Sequence, residues 1–146
     1  MLLALALLIA LLLMALSALI HYEALRFVGR LMMRSPIRPR QRVLVAVGVC
    51  MAAHLAAIAL YALAFAVVTQ FPALGAISGD FVPGMQDFVY FAFTCYTTLG
   101  IGDIWPEGPL RIVAGVAALN GFVMITWSAS FTYLTMQRHW HPERGE

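Results

Sequence analysis

Three long, predominantly apolar runs, residues 1–20, 43–69 and 110–136, dominate this chain. Each is long enough, at about 1.5 Å of rise per helical residue, to cross a hydrocarbon layer roughly 30 Å thick. Hydrocarbon offers no water to satisfy peptide groups, so an isolated segment crosses it as a helix. The expected fold is therefore an all-α membrane protein with three transmembrane helices. Composition agrees, with 62% hydrophobic residues, 11% charged residues and a mean hydropathy of +0.87. A chain of 146 residues holds little beyond three spans, so a large pore is expected to need several copies. The first run carries no charge and its flanking charges follow it, which favours a retained anchor helix over a cleaved leader.

Orientation follows from arginine. All nine basic residues are arginines, and Arg26, Arg30, Arg34, Arg38, Arg40 and Arg42 lie in the short connection after the first run. Short Arg-rich loops remain cytoplasmic. This places the N-terminus outside, residues 70–109 outside, and the tail with Arg138 and Arg144 inside, in a cell (inner) membrane. The four-residue spacing of Arg26, Arg30 and Arg34 flanks a helix, whereas voltage sensors carry arginine every third residue within one. The cluster reads as a positive-inside linker suited to anionic lipid headgroups.

The external segment contains a second constraint. Residues 88–96 form an aromatic, apolar run too short to span, preceded by Pro83, Gly84 and Asp87, which are helix-start signals. A re-entrant pore helix over 85–97 is expected. "TTLGIGD" follows at 97–103. Non-helical backbone at membrane depth is tolerated only when buried in protein or lining a water-filled path. Gly100 and Gly102 accept positive φ without steric cost, which turns successive carbonyls towards one side. Such a row, repeated about an axis, replaces the hydration shell of a bare cation.

"TTLGIGDIWP", with "FVYFAFTCY" before it and "PLRIVAGVAALNGF" after it, resembles the pore loop and inner helix of the potassium-channel superfamily, in the form of a small prokaryotic two-helix pore module with an extra N-terminal helix. The resemblance covers residues 87–136, about a third of the chain. It implies a selectivity filter at Thr98, Leu99, Gly100, Ile101 and Gly102. Potassium ions would be held by the carbonyls of Thr98, Leu99, Gly100 and Ile101 and by the Thr98 hydroxyl. Thr97 and Asp103 flank that filter, with Asp103 at the acid that follows it in the family. Gly121 stands where many members carry a gating glycine in the inner helix, and close helix packing is an equally good reason for a glycine there.

Two departures stand out. Ile101 replaces the filter aromatic that packs behind the carbonyls and holds their spacing, which weakens the expectation of tight selectivity. Thr94 stands where some members have a glutamate bonded to the post-filter acid, so Asp103 needs another donor. Tyr90 and Phe91 take the places of a pair of aromatics that cuff the filter, and the Tyr90 hydroxyl is expected to reach Asp103.

Other residues have plainer readings. His54 is an intramembrane ionisable group, expected to be neutral and bonded to a neighbouring helix, with proton sensitivity as the functional alternative. Cys50, one turn earlier, could complete only half of a soft-metal site, and Cys50 and Cys95 read as small buried residues with no disulfide spacing. Asn120, Thr126, Ser128, Ser130, Thr132 and Thr135 make the third run polar, which suits a cavity face or bonds back along the helix. Trp105, Tyr133 and Trp140 suit the membrane interface, and His139 and His141 suit solvent.

Neither a voltage-sensing span nor a ligand-binding domain after residue 136 is expected, and neither nucleotide-binding nor hydrolase motifs occur. The chain is expected not to be an enzyme, to need no cofactor and to bind no nucleic acid. The expected organisation is a first helix and Arg-rich linker (1–42), a pore domain (43–137) with outer helix 43–69, pore helix 85–97, filter 98–102 and inner helix 110–136, and a short tail (138–146). Its single pore segment argues for a homotetramer that conducts potassium passively along the four-fold axis. The first helix is expected at the periphery, against the second span or over a neighbouring subunit. A poorly selective monovalent cation channel and a non-conducting accessory subunit remain as alternatives.

Overall fold

A computed structural model describes residues 1–34 and 38–140, apart from the side chains of Arg34, Pro39, Arg40, His139 and Trp140. His141 and Arg144 lie outside the described residues, as do the side chains of His139 and Trp140. The elements run α1 (Leu2–Arg34), α2 (Pro39–Val68), a 3-10 turn (Pro72–Leu74), β1 (Ile77–Gly79), α3 (Met85–Tyr96), β2 (Ile104–Pro106) and α4 (Leu110–Trp140). Three of these, α1, α2 and α4, are long and apolar enough to cross a membrane. The chain is a multi-pass, all-α membrane protein, with α3 a fourth, short helix between α2 and α4.

Charge did not end the helices where the apolar runs end. Helix α1 continues to Arg34, about 50 Å in all. Arginine is a good helix former, and Glu23 pairs with Arg26 one turn on at 3.1 Å. Most of the expected linker is thus helix, since α1 runs to Arg34 and α2 starts at Pro39. Helix α2 begins at Pro39, four residues before the expected start, because proline at the first helical position costs no backbone bond. The Gln41 side chain accepts from the Arg38 backbone N–H at 3.3 Å. Helix α4 likewise extends past residue 136 to Trp140, and α3 ends one residue before the expected boundary at 97.

The short strands β1 and β2 are a further departure from the sequence reading. They pair antiparallel, with Ile77 opposite Pro106 and Gly79 opposite Ile104, and so tie together the two flanks of the α3 segment.

One narrow stripe of α1 is buried: Ala6, Ala10, Leu13, Ser17, His21, Leu25, Val28 and Met32. Their three- and four-residue spacing is one helix face. The remaining leucines, including Leu5, Leu8, Leu12, Leu16 and Leu19, stay exposed, as a lipid-facing surface requires. The stripe lies against both α2 and α4, so α1 is docked into the pore domain as well as onto the second span. Small residues allow the close approach: Ala6 and Ala10 on α1, Ala57 and Ala62 on α2, Ala114 and Ala117 on α4.

Aromatic rings lock α2 to α3. Phe65 meets Phe91 with ring centroids 4.8 Å apart, and Tyr61 meets Tyr96 at 6.2 Å. All four rings are buried. Across the other face, Asn120 of α4 donates to Ser17 Oγ of α1 at 2.7 Å. In an apolar surround such a bond contributes about 1 kcal/mol to helix association. Asn120→Leu, which keeps the volume and removes the donor, should cost about that amount in reversible unfolding in detergent. Lipid-facing Leu16→Ala should change it by less than about 0.5 kcal/mol.

Candidate ion-conducting site

The site begins at the start of α3. Gly84 caps that helix in an extended conformation, and Asp87 in its first turn accepts from the Val82 N–H at 2.7 Å. The acid faces the positive end of the helix dipole. The negative end therefore lies at Tyr96 and Thr97, where the chain leaves the helix. Thr97 closes it by donating its N–H to the Phe93 carbonyl at 3.0 Å and its hydroxyl to the same oxygen at 2.7 Å.

Beyond Thr97 the backbone alternates. Thr98, Gly100 and Gly102 have φ of 58°, 48° and 91°, while Leu99 and Ile101 stay on the ordinary side. Left-handed residues at every second position turn successive carbonyls the same way. The two glycines take this conformation freely, whereas β-branched Thr98 is strained by about 1–2 kcal/mol. The neighbours hold it there: the Thr98 N–H donates to the Cys95 carbonyl at 3.0 Å, and the Gly100 N–H to the Thr94 carbonyl at 3.2 Å. Residues 97–102 form an unbroken exposed row, with Leu99 63% and Ile101 60% exposed.

Support comes from the aromatic run. The Tyr90 hydroxyl donates to Asp103 Oδ2 at 2.7 Å, the bond the register leads one to expect. Asp103 Oδ1 is buried and has no partner among the described residues. The Asp103 backbone carbonyl accepts from the Asp80 N–H at 3.1 Å, next to the β1–β2 pairing. Thr94 does not reach Asp103. Its hydroxyl turns back to the Phe91 carbonyl at 2.9 Å, and its own carbonyl holds Gly100. Phe91 is 2% exposed, stacked on Phe65, with its other side on a cavity of about 400 Å³ behind the row, bordered also by Thr98, Gly100 and Trp105. Among the described residues no side chain fills that space, and Ile101, which is exposed, does not border it.

Gly121 lies in α4 against the end of α3. A Cβ there would overlap the Tyr96 carbonyl, so close packing by itself demands glycine. The polar residues of α4 divide by partner. Thr126, Ser130 and Thr135 donate back to the carbonyls of Phe122, Thr126 and Phe131. Asn120 and Ser128 reach other helices. Ser128 Oγ lies 2.9 Å from His21 Nε2 and 3.0 Å from His54 Nε2, and His54 Nδ1 lies 3.1 Å from the Tyr96 hydroxyl. His54 is thus bonded to neighbouring helices. Ser17, His21 and Tyr96 escaped the sequence reading. The available signal was faint: Ser17 and His21 are polar residues four apart on one face of an otherwise leucine-rich helix. Among the described residues no group of three or more His, Cys, Asp or Glu side chains is placed to hold a metal ion.

Two outcomes follow from this geometry. Gly121→Ala should destabilise the protein by about 1–3 kcal/mol through overpacking against Tyr96, while Gly115→Ala on the same helix, where a Cβ meets nothing within 4 Å, should be neutral or mildly stabilising. Thermal melts in detergent measure both. The hydrogen bond to Asp103, with burial second, raises the Tyr90 phenol above its ordinary value. A raised value means that its support is complete below about pH 10 and is lost as pH rises through the shifted value. The neutral phenol is the donor, so Tyr90→Phe should abolish that alkaline transition in melts recorded against pH and should weaken the loop at neutral pH.

Comparison with known proteins completes the picture. No curated protein and no solved structure matches the chain significantly. The profile of the family described as "Ion channel" matches residues 56–138, from the middle of α2 through the loop to the end of α4. That match covers more than half of the chain and takes in every residue of the site. With its helix, re-entrant segment, helix arrangement and its row of alternating backbone at 98–102, the chain belongs to the pore-loop ion channel family.

Proposed function

We propose that the protein is a passive, potassium-selective channel in the cell (inner) membrane, assembled as a homotetramer with residues 98–102 around the four-fold axis. The observation that carries this is the alternation of left-handed residues at 98, 100 and 102 in an exposed row at the C-terminal end of α3. In a four-fold ring the carbonyls of Thr98, Leu99, Gly100 and Ile101, with the Thr98 hydroxyl, replace the water around a dehydrated potassium ion. The negative ends of four α3 helices favour cations over anions. Exposed Leu99 and Ile101 then gain cover from adjacent subunits, which supports assembly from several copies. Potassium is the transported ion, and the mechanism calls on no cofactor.

Topology follows the arginines, with the N-terminus outside and the α1–α2 connection and C-terminus cytoplasmic, where Arg26, Arg30, Arg38 and Arg42 meet anionic headgroups. Gly121 is a hinge candidate in α4 in addition to its packing role. A second reading, a poorly selective monovalent cation pore, is favoured by one observation: the space behind the filter is not filled from within the chain, and Ile101 supplies no aromatic brace. A non-conducting accessory subunit is the third.

Reversal potential in planar bilayers under opposing potassium and sodium distinguishes them. The expected value lies near the potassium equilibrium potential, with current lost in Gly102→Ala, whose φ of 91° an L side chain resists. A reversal near zero with robust current indicates the non-selective pore. No current from well-assembled tetramers indicates the accessory role.

A further inference from the structure

His21, Ser128, His54 and Tyr96 form one hydrogen-bonded chain that joins all four helices. His21 comes from α1, His54 from α2, Tyr96 from the end of α3 and Ser128 from α4. The two imidazoles converge through their Nε2 atoms on a single hydroxyl, at 2.9 and 3.0 Å, and their ring centroids are 4.9 Å apart. His21 and Tyr96 are 1% exposed. Tyr96 is the last residue of α3, its carbonyl packs on Gly121, and Thr97 and Thr98 follow it directly. The chain therefore ends on the residue that aims the filter.

We propose that this chain positions the inner end of the filter and that uptake of a single proton by it changes conduction, which makes α1 part of the conducting apparatus. The inference rests on the channel reading above.

Proton bookkeeping gives the reason. A serine hydroxyl donates once and accepts twice, and a neutral imidazole has one N–H. With both histidines neutral, the chain runs in one of two directions. In the first, Tyr96 donates to His54 Nδ1, His54 Nε2 to Ser128, and Ser128 to His21. His21 Nδ1 then carries a buried hydrogen, and that atom has no partner among the described residues. In the second every bond reverses, and the Tyr96 hydroxyl becomes the acceptor.

One added proton resolves the ambiguity. Cationic His54 donates from Nδ1 to Tyr96 and from Nε2 to Ser128, which still donates to His21, so every link is kept. A second proton is opposed by charge, because two imidazolium rings would sit side by side and Ser128 could no longer donate to either of them. The switch is thus limited to one proton, and its effect at Tyr96 is to fix the hydroxyl as an acceptor.

The surroundings suit this role. A largely apolar cavity of about 560 Å³ borders His54, Ser128, Tyr96 and Thr97, so the chain is not packed over on that side. The negative end of α3 favours a nearby imidazolium, and the Trp127 ring lies 5.6 Å from His21. Of the other ionisable groups on the packed elements, Cys50 and Tyr133 border the same cavity, Tyr61 has its ring 6.2 Å from that of Tyr96, and Cys95 borders a separate space beside residues 98–102. No carboxylate or arginine lines the cavity. On α1, Glu23 is exposed and paired with Arg26.

The test is potassium flux from vesicles holding the full chain, measured against pH for wild type, His21→Gln and His54→Gln. Glutamine keeps a neutral hydrogen-bonding group and cannot titrate. We expect a wild-type step with a slope of one proton, displaced in His21→Gln and absent in His54→Gln, with both variants still conducting. Superimposable profiles would overturn the proposal, because a purely structural role leaves the pH dependence untouched. If either variant fails to assemble, Tyr96→Phe, which removes only the terminal hydroxyl, must displace the step. Should the wild type carry no flux at any pH, the channel reading falls, and nitrogen-15 spectra still decide the chain: the Thr98 and Gly100 amides must shift with His54 titration, and amides indifferent to it sink the proposal.

Discussion

Peptide groups have no solvent to bond with inside a membrane, and the whole structure depends on how that demand is met. Helices α1, α2 and α4 meet it along their length, which is why three apolar runs become three helices. Residues 97–102 do not meet it, and everything around them compensates. Helix α3 ends in bonds from Thr97 to Phe93, the Thr94 carbonyl anchors Gly100, and the β1–β2 pairing clamps the flanks. Carbonyls left over after those bonds are the ones that the proposed function gives to an ion, on backbone the structure has already supported.

Rigidity of that support comes from two different kinds of contact. Towards α2 it is aromatic and dry, with Phe65 on Phe91 and Tyr61 on Tyr96. Towards the outer mouth it is a short bond from Tyr90 to a carboxylate, on a tyrosine that stands where the family resemblance places a larger aromatic. Between them lies an open space beside the row, bordered by Phe91, Thr98, Gly100 and Trp105 and not by Ile101. Selectivity by carbonyl spacing needs a firm wall at that point. The chain itself supplies only part of it, and under the proposed tetramer the rest would come from adjacent subunits.

Helix α1 would be dispensable if it were only an anchor. Its buried stripe instead places Ser17 and His21 against α4, and both make bonds there at 2.7 and 2.9 Å. Lipid tails are as apolar as leucine, so hydrophobicity does not choose which face of α1 docks. Small residues and polar pairs do. This also explains why the third run is polar: several of its hydroxyls bond back to their own helix, while Asn120 and Ser128 are spent on holding neighbours.

Sequence alone determined the four helices and the non-helical glycine-bearing stretch after the third, because their causes are local. Run length settles whether a helix crosses, a nine-residue aromatic run is too short to do so, and two alternating glycines mark backbone that leaves the helical region. The register around the filter was also legible, down to the Tyr90–Asp103 bond. Helix ends were less so, since arginine and a leading proline are as compatible with a helix beyond the hydrocarbon as with a linker. Only the tertiary structure decided the β1–β2 clamp, the docking of α1 on α4, the packing demand at Gly121 and the chain from His21 to Tyr96. Those join residues far apart in sequence, from Gly121 against Tyr96 to His21 and Ser128, which are 107 apart, or pair strands of three residues, and no local pattern encodes a contact whose two halves meet only when the helices pack.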